Sequence, residues 1–133
     1  MKEPIWLNEL HILSFHHLLI LQFGGLAGVR DYDLLDSAIN RPKHLYHYSQ
    51  VNIFDLATSY IYGIAKNHPF NDANKRTAFI TGYTFLNVNG YDLIASELEV
   101  VSQMIELVTD NITESGFTVW LKENCKKIRV HRA

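Results

Sequence analysis

The chain has 133 residues, 47% of them hydrophobic, and its formal net charge is −2 with the histidines neutral. That length fits one domain with a buried core, so residues 1–133 are expected to form a single domain with its core at about 8–125. No basic footprint for nucleic acid stands out at this charge, so direct nucleic-acid binding is not expected, and the lone Cys125 excludes an internal disulfide.

The apolar N-terminal segment is a candidate membrane anchor, but polar side chains interrupt it. No stretch reaches the roughly 18–20 consecutive apolar residues of a membrane-spanning helix. No small-residue cleavage site follows a basic start and an apolar run, as it would in a secretory signal. We therefore expect a cytoplasmic protein without membrane attachment. The interrupting residues are Asn8, Glu9, His11, His16 and His17.

Two helices are predicted in the first third of the chain. Apolar residues recur at helical spacing over residues 7–23, and Gly24-Gly25 ends that helix. The glycine-rich turn that follows lacks the Lys-Ser/Thr of a phosphate-binding loop, so it is interpreted as structural. Asp31 is a suitable N-cap for a second helix over about 32–41.

The segment between the second and third predicted helices is polar and aromatic. Pro42 ends the second helix, and residues 43–52 show no helical period. We expect a loop or a short hairpin there. His44 and His47 have no cysteine or acidic partner nearby, so a metal site at this pair is disfavoured.

The third and fourth predicted helices carry most of the apolar residues. Asn52 can cap a helix over about 53–66, and Pro69 disfavours helix at His68. The fourth helix is expected at about 71–88, and its apolar residues go nearly all the way round. A helix that is apolar on all faces lies at the centre of its domain.

Two further helices, at about 96–109 and 114–127, complete the prediction. The strand-like segments are VNIF, at 51–54, and residues 91–94. The fold class is therefore predicted to be all-α, a bundle of about six helices around the fourth. The basic C-terminal end, from Cys125 onward, is expected to be a solvated tail.

The polar stretch HPFNDANKR, residues 68–76, lies at the head of the fourth helix. Free amides in a first helical turn, together with the helix dipole, favour an anion. Asn74, Lys75 and Arg76 lie in that turn, where the two cations add positive charge and the guanidinium can grip a phosphate with two hydrogen bonds. The pattern indicates a phosphate-binding site.

Two further residues of the stretch suit a reaction on a bound polyphosphate. Asp72 cannot serve the anion directly, but it suits a magnesium ion, which takes one or two carboxylates plus phosphate oxygens. His68 precedes the helix, and because a histidine titrates near neutral pH, it is a candidate general base for an attacking hydroxyl. The alternative interpretation makes Asn71 and Asp72 only helix caps and the two cations only solvated charges.

The stretch resembles the signature of the Fic/Doc family, His-x-Phe-x-Asp/Glu-Ala/Gly-Asn-x-Arg, at every fixed position. The segments FGGLAGVRD, LLDSAINRP and FLNVNGYDL resemble the Doc branch, the toxins of toxin–antitoxin modules. The resemblance covers about residues 8–125. It implies an all-helical fold and transfer of part of a nucleotide to a protein hydroxyl, with ATP or another nucleotide as donor and Mg²⁺ as the metal.

Two positions depart from the pattern of the Fic adenylyltransferases. Those enzymes have Gly at the position of Lys75 and a second Arg at the position of Phe79. The Doc branch shares Asn-Lys-Arg-Thr-Ala, which implies a reversed nucleotide with its γ-phosphate toward the hydroxyl. The resemblance thus implies a protein kinase that acts on a translation factor such as elongation factor Tu. Transfer of AMP or another NMP is the alternative within the enzyme class.

The resemblance also implies roles for residues outside the signature. Doc toxins carry a basic residue at the position of Lys66, which is therefore a candidate phosphate ligand, with a solvated lysine as the alternative. Fic proteins hold the target polypeptide as an added strand on a flap before the third helix, and an ordinary surface loop is the alternative here. The residues with the composition of such an edge are Leu45, Tyr46, His47 and Tyr48.

Regulation is expected to come from a second protein. Many Fic proteins carry a self-inhibitory Ser/Thr-x-x-x-Glu-Gly/Asn helix, and in the nearest match Ser102 and Glu106 are followed by Leu107. The resemblance therefore implies a cognate antitoxin whose disordered tail folds to a helix in a groove of the toxin. A non-catalytic antitoxin-binding module is the competing hypothesis, although such a module needs neither a base nor a metal ligand.

Overall fold

The computed structural model describes residues 1–129, which form six helices and one two-stranded sheet. Strands β1 and β2 are antiparallel and only three residues long each, so the all-α prediction is confirmed. No helix in this range is long and apolar enough to cross a membrane. The elements are α1 (Glu9–Phe23), α2 (Tyr32–Tyr48), α3 (Ile53–Asn67), α4 (Asn74–Val88), β1 (Tyr91–Leu93), α5 (Glu97–Val108), α6 (Glu114–Glu123) and β2 (Cys125–Lys127).

Helix α3, and not α4, lies at the centre of the bundle. Eleven of the fifteen residues of α3 are buried, against seven of fifteen in α4, and α3 contacts α2, α4, α5 and α6. The prediction of a central fourth helix is wrong because part of the apolar surface of α4 is incompletely covered. Phe79 and Tyr83 on that surface are only partly buried.

Helix α2 runs through Pro42 to Tyr48, so the predicted loop or hairpin is wrong for most of its length. A proline in a helix interior removes one hydrogen bond and costs about 3 kcal/mol. Here Pro42 is buried, and Tyr46 in the turn after it packs against the core. The Tyr46 ring meets the Trp6 ring edge-on, with 5.7 Å between centroids. This tertiary packing outweighs the local penalty of the proline.

Helix α4 is the one helix within residues 1–129 that lacks a side-chain N-cap. It begins after Ala73, whose backbone is left-handed, with φ 59° and ψ 30°, and which offers no side-chain acceptor. The predicted start near residue 71 is therefore too early, and Asp72 lies just before the helix. The caps of the other five helices are Asn8, Asp31, Asn52, Ser96 and Thr113.

The C-terminal end also differs from prediction. Helix α6 stops at Glu123 because residues 125–127 pair with β1 as strand β2. The first part of the predicted solvated tail is therefore in the sheet. Residues 130–133 of that tail lie outside the described residues. Of the two strand-like segments, 91–94 contributes β1, whereas VNIF contains the start of α3.

Candidate active site

His68 ends helix α3 in a left-handed conformation, with φ 49° and ψ 55°. Its N–H still donates to the Ile64 carbonyl at 3.3 Å, and its side chain is exposed. A left-handed backbone costs a non-glycine residue roughly 1–2 kcal/mol. Such strain persists only where the surroundings fix it, so the neighbours of His68 decide how firmly it is held.

Asn74 ties the start of α4 to the loop that carries His68. Its side-chain oxygen accepts the N–H of Phe70 and its Nδ2 donates to the Phe70 carbonyl, both at 3.0 Å. These two bonds fix the orientation of the amide. Nδ2 also lies 3.4 Å from His68 Nδ1, a long contact. The main contacts of Asn74 are thus to the protein, and its contact with a nucleotide stays a prediction.

Two segments that are distant in sequence lie against each other at the site: the glycine strap, residues 24–31, and the signature loop, residues 68–73. The N–H groups of Arg30 and Asp31 both donate to the Pro69 carbonyl, at 2.7 and 3.1 Å. A short antiparallel bridge joins the same two segments. The glycine-rich turn is structural, as predicted, and the structure it supports is the signature loop.

Arg30 also reaches the signature loop with its side chain. Its Nε donates to the His68 carbonyl at 2.7 Å, and a terminal guanidinium nitrogen donates to the Asn67 carbonyl at 2.9 Å. A cation is stabilised at the C-terminal end of a helix, where carbonyls lack intrahelical partners. No local pattern in the sequence points to Arg30, because its partners lie 37 and 38 residues away along the chain.

His16 supports the signature loop from helix α1. Its side chain is 4% exposed, and its ring stacks on that of Phe70 with 3.9 Å between centroids and 8° between planes. Its Nε2 lies 3.0 Å from the main-chain oxygen of Asp72, and because a carbonyl only accepts, this nitrogen carries the proton. Among the interruptions of the apolar segment, His16 lies one helical turn after the buried Ile12, and that spacing is the signal that could have indicated it.

The carboxylate of Asp72 is exposed beside the head of α4. Its Oδ1 accepts the N–H of Ala73 at 2.9 Å, and its Oδ2 accepts the N–H of Leu26 at 3.2 Å. These two bonds are the main reason why the pKa of Asp72 lies below its ordinary value. A side chain at Gly25 would meet Oδ2 at 2.7 Å, so the close approach of the strap requires glycine there.

The donor set at Asp72 fits magnesium. A carboxylate has about four lone-pair positions, so its two hydrogen bonds leave positions for a metal ion. Within residues 1–129, no group of three or more His, Cys, Asp or Glu side chains could hold a metal. Magnesium does not require such a cage, because it keeps waters and shares phosphate oxygens. Asp72 therefore stays the predicted ligand.

Within the described residues, the first turn of α4 combines unpaired N–H donors with positive charge. The N–H of Thr77 makes the first helical bond, to the Ala73 carbonyl at 3.0 Å, and the amides of residues 74–76 have no acceptor within the described chain. Lys75 is exposed. The guanidinium of Arg76 lies 4.6 Å from the centroid of the Phe23 ring, a cation–π contact that holds it beside the free amides.

Lys66 is held away from this turn. Its Nζ donates to the Asp110 carboxylate at 2.8 Å and to the Val108 carbonyl at 3.1 Å. The hydrogen bond between the charged partners raises the pKa of Lys66 and lowers that of Asp110. A phosphate contact from Lys66 would require this ammonium group to leave Asp110.

The residues of the predicted target flap form a helical turn. Leu45, Tyr46, His47 and Tyr48 are the end of α2, and the Leu45 carbonyl accepts the N–H of Ser49 at 3.1 Å. The prediction of a strand edge here is wrong because these backbone groups are bonded within the helix. Three clefts of about 440 to 740 Å³ are lined by residues outside the signature loop. Within that loop, His68, Asn71 and Asp72 are exposed.

Comparisons with known proteins agree on the family. The sequence model described as the Fic/DOC family matches residues 6–86. Toxin Doc of Mycolicibacterium smegmatis is 40% identical over 77 residues, which are 56% of this chain and 59% of that protein. Protein kinase doc of Escherichia phage P1 is 30% identical over 106 residues, 79% of this chain and 83% of that protein. The match spans less than two thirds of the mycobacterial toxin and most of the phage protein.

Proposed function

The chain belongs to the Fic/Doc family, and we propose that it is a Doc-type toxin with protein kinase activity. It transfers the γ-phosphate of ATP or another nucleoside triphosphate to a Ser or Thr hydroxyl of a protein. One observation carries the proposal: the exposed His68 and the free amides of residues 74–76 flank a single short loop. A base and an anion site are the two groups that such a transfer needs.

His68 is the proposed general base. The target oxygen forms a bond to the γ-phosphorus, and the bond from that phosphorus to the β–γ bridging oxygen breaks. The hydroxyl proton passes to the imidazole, and the nucleoside diphosphate leaves. The exposed position of His68 supports this role, because a hydroxyl on a folded protein can reach an open surface. A general base contributes about 10²–10⁴ in rate.

The head of α4 is the proposed phosphate site. The amides of residues 74–76 can donate to phosphate oxygens, and the guanidinium of Arg76 can grip two of them. The contact with Phe23 supports this role by holding the guanidinium in place before the nucleotide binds. Lys75 adds a compact charge. Phosphoryl transfer relies mainly on such positioning and charge stabilisation.

Asp72 is the proposed magnesium ligand. The N–H groups of Ala73 and Leu26 lower its pKa and orient its carboxylate, so it is ionised at neutral pH. The ion, when bound, neutralises negative charge on the nucleotide phosphates. The contribution of the chain is to hold that carboxylate beside the free amides.

Two residues favour γ-phosphate over AMP transfer. Lys75 has a long side chain at the position of the adenylyltransferase glycine, which disfavours the close backbone approach to phosphates that glycine permits. Phe79 cannot bind an anion at the position of the second arginine. The name of the phage relative, a protein kinase, supports the same choice.

The names of the relatives also support a regulatory partner. A toxin requires a cognate antitoxin, and we propose one whose disordered segment folds on binding. We propose a translation factor as the protein substrate, with elongation factor Tu as the first candidate, and the cytoplasm as the place of the reaction. Modification of such a factor would halt growth.

A labelled-donor experiment tests the proposal. The purified protein is incubated with cell extract, Mg²⁺ and ATP labelled at either the α- or the γ-phosphate, with His68→Ala as the matched control. We expect γ-label on a protein and a mass increase of about 80 Da, whereas AMP would add about 329 Da. An AMP product would overturn the kinase proposal and leave the family intact. The absence of either label would favour a non-catalytic antitoxin-binding module.

A further inference from the structure

Arg30 lies outside the signature stretch, yet its side chain contacts the backbone of the proposed base. We propose that Arg30 is a positioning residue that holds His68 in its left-handed conformation and so aims the imidazole at the reacting hydroxyl. The inference rests on the proposed function, because it assigns Arg30 a role in the same reaction. The role is indirect, since the guanidinium bonds backbone carbonyls and not the reacting atoms.

The two bonds of the guanidinium act on the two torsions of His68. The Asn67 carbonyl belongs to the peptide unit on the N-terminal side of the His68 Cα, and rotation about φ swings that unit. The His68 carbonyl belongs to the peptide unit on the other side, which swings with ψ. Arg30 bonds the first at 2.9 Å and the second at 2.7 Å. One planar group therefore fixes both torsions of a strained residue.

The chemistry of the site requires arginine in particular. Both carbonyls lie at the C-terminal end of α3, where the helix dipole favours a cation. A guanidinium presents its donors in a rigid planar fork, so it can hold two carbonyls at a set spacing. A lysine would supply the charge, but its ammonium group is a point donor on a flexible stem and cannot fix both planes.

A side-chain variant of Arg30 isolates this effect. The main-chain N–H of Arg30 donates to the Pro69 carbonyl at 2.7 Å whatever the side chain. The next residue, Asp31, caps α2 by accepting the N–H of Leu34 at 3.1 Å. The glycine strap and α2 are therefore expected to stay in place when the guanidinium is removed.

The experiment compares wild type, Arg30→Ala and Arg30→Lys, with Arg41→Lys as the matched control. Arg41 also bonds through its guanidinium, to the Glu114 carboxylate at 2.6 and 3.0 Å and to Ser59 at 3.3 and 3.5 Å, but none of these partners belongs to the signature loop. We expect Arg30→Ala to lower kcat by about 10- to 100-fold, as misplacement of a reacting group does. The KM for the nucleotide and its calorimetric affinity should stay unchanged. Arg30→Lys should recover part of kcat, and Arg41→Lys should lose stability only.

A crystal structure of Arg30→Ala tests the geometry independently of the reaction. We expect His68 to leave the left-handed region of φ and ψ. Unchanged His68 torsions, or an unchanged kcat, would overturn the inference, as would parallel losses of kcat and nucleotide affinity. A wild-type protein without transfer activity would instead refute the proposed function, and the crystal structure would still decide whether Arg30 sets the conformation of His68.

Discussion

Helices α3 and α4 begin in opposite ways. At the head of α3, Asn52 accepts the N–H of Asp55, and the Asp55 carboxylate accepts the N–H of Asn52, both at 2.9 Å. At the head of α4, Ala73 offers no acceptor, and the amides of residues 74–76 have no partner in the described part of the chain. A reciprocal cap satisfies the first donors of a helix from within the chain. An uncapped start leaves them for a ligand.

The difference between the two helix starts suits different tasks, because the capped start of α3 stabilises the fold and the uncapped start of α4 lies at the proposed site. A side-chain cap contributes about 1 kcal/mol, and α4 forgoes it. The left-handed His68 and Ala73 add strain beside the same turn. Contacts from His16 and Arg30 hold the signature loop instead. The local rules of helix stability thus fail where the proposed chemistry lies, as they do at many functional sites.

The largest effect should come from the proposed base, His68, which ends α3 and precedes the uncapped start of α4. We expect His68→Ala to lower the transfer rate by about 10²–10⁴ and to change the unfolding free energy by less than about 0.5 kcal/mol, because the side chain is exposed. Steady-state kinetics and denaturant unfolding measure the two quantities. His44→Ala, an exposed histidine on α2, is the matched control and should change neither. Full activity in His68→Ala would show that His68 is not the general base.

Replacing the Asp72 carboxylate should have a smaller effect, which is confined to metal-dependent binding of the nucleotide. We expect Asp72→Asn to weaken binding of Mg–nucleotide by about tenfold, the lower end of what a lost metal-site group costs, and to leave binding of metal-free nucleotide unchanged. Calorimetry with and without Mg²⁺ separates the two. Equal losses in both conditions would make Asp72 a structural residue of the loop.

The lowered pKa of Asp72 predicts that the stability of the fold depends on pH. The N–H groups of Ala73 and Leu26 lower the folded-state pKa of Asp72 below its unfolded value. Its stabilising contribution is therefore complete above the unfolded pKa, about 3.9, and is lost as pH falls through the lower folded pKa. The free energy of unfolding, measured between pH 5 and about 2, should show this loss. In Asp72→Asn, the free energy of unfolding should depend less on pH over the same range. An unchanged curve would mean that the two bonds do not persist in solution.

Lys75 should change the product more than the amount of binding. We expect Lys75→Gly to lose much of the γ-phosphate transfer and to gain at most a trace of AMP transfer, because Phe79 still cannot hold a phosphate. Lys75→Met keeps the bulk without the charge and separates the two contributions. Mass spectrometry of the modified target identifies the product. Unaltered γ-phosphate transfer in both variants would show that Lys75 does not orient the nucleotide.

The smallest effect tests the capped helix itself. We expect Asn52→Ala to lower the unfolding free energy by about 1 kcal/mol with no effect on transfer. In contrast, Ala73→Gly should keep or raise stability, because glycine adopts the left-handed conformation without strain. Denaturant unfolding and the labelled-donor assay test both variants. Loss of transfer in Asn52→Ala would show that the capped start of α3 also contributes to the reaction, which would contradict the comparison.

Local patterns predicted most helices and the signature stretch. The caps Asp31 and Asn52 were recognisable because a short polar side chain at the right spacing has a single use there. The continuation of α2 past Pro42 was not, since only the packing of Tyr46 on Trp6 compensates for the proline. The central position of α3 depends on which helices surround it, and periodicity within one helix does not contain that information.

The residues that support the signature loop cannot be predicted from local sequence patterns, because their partners are distant along the chain. His16 contacts the signature loop across 56 residues of sequence, and Arg30 across 38. Neither residue belongs to a motif with its partner. The proposed site residues therefore lie in one recognisable stretch of the sequence, whereas the residues that support this stretch are distant from it along the chain.

These long-range contacts also determine when the site can form. A single helix, or a pair of neighbours such as α3 and α4, forms through contacts that are close in sequence, whereas the glycine strap must close a much longer loop. The helical pair can therefore assemble before His68 is locked in place. We therefore expect a nascent chain to become competent for the proposed reaction only after the glycine strap in its N-terminal third docks on the signature loop.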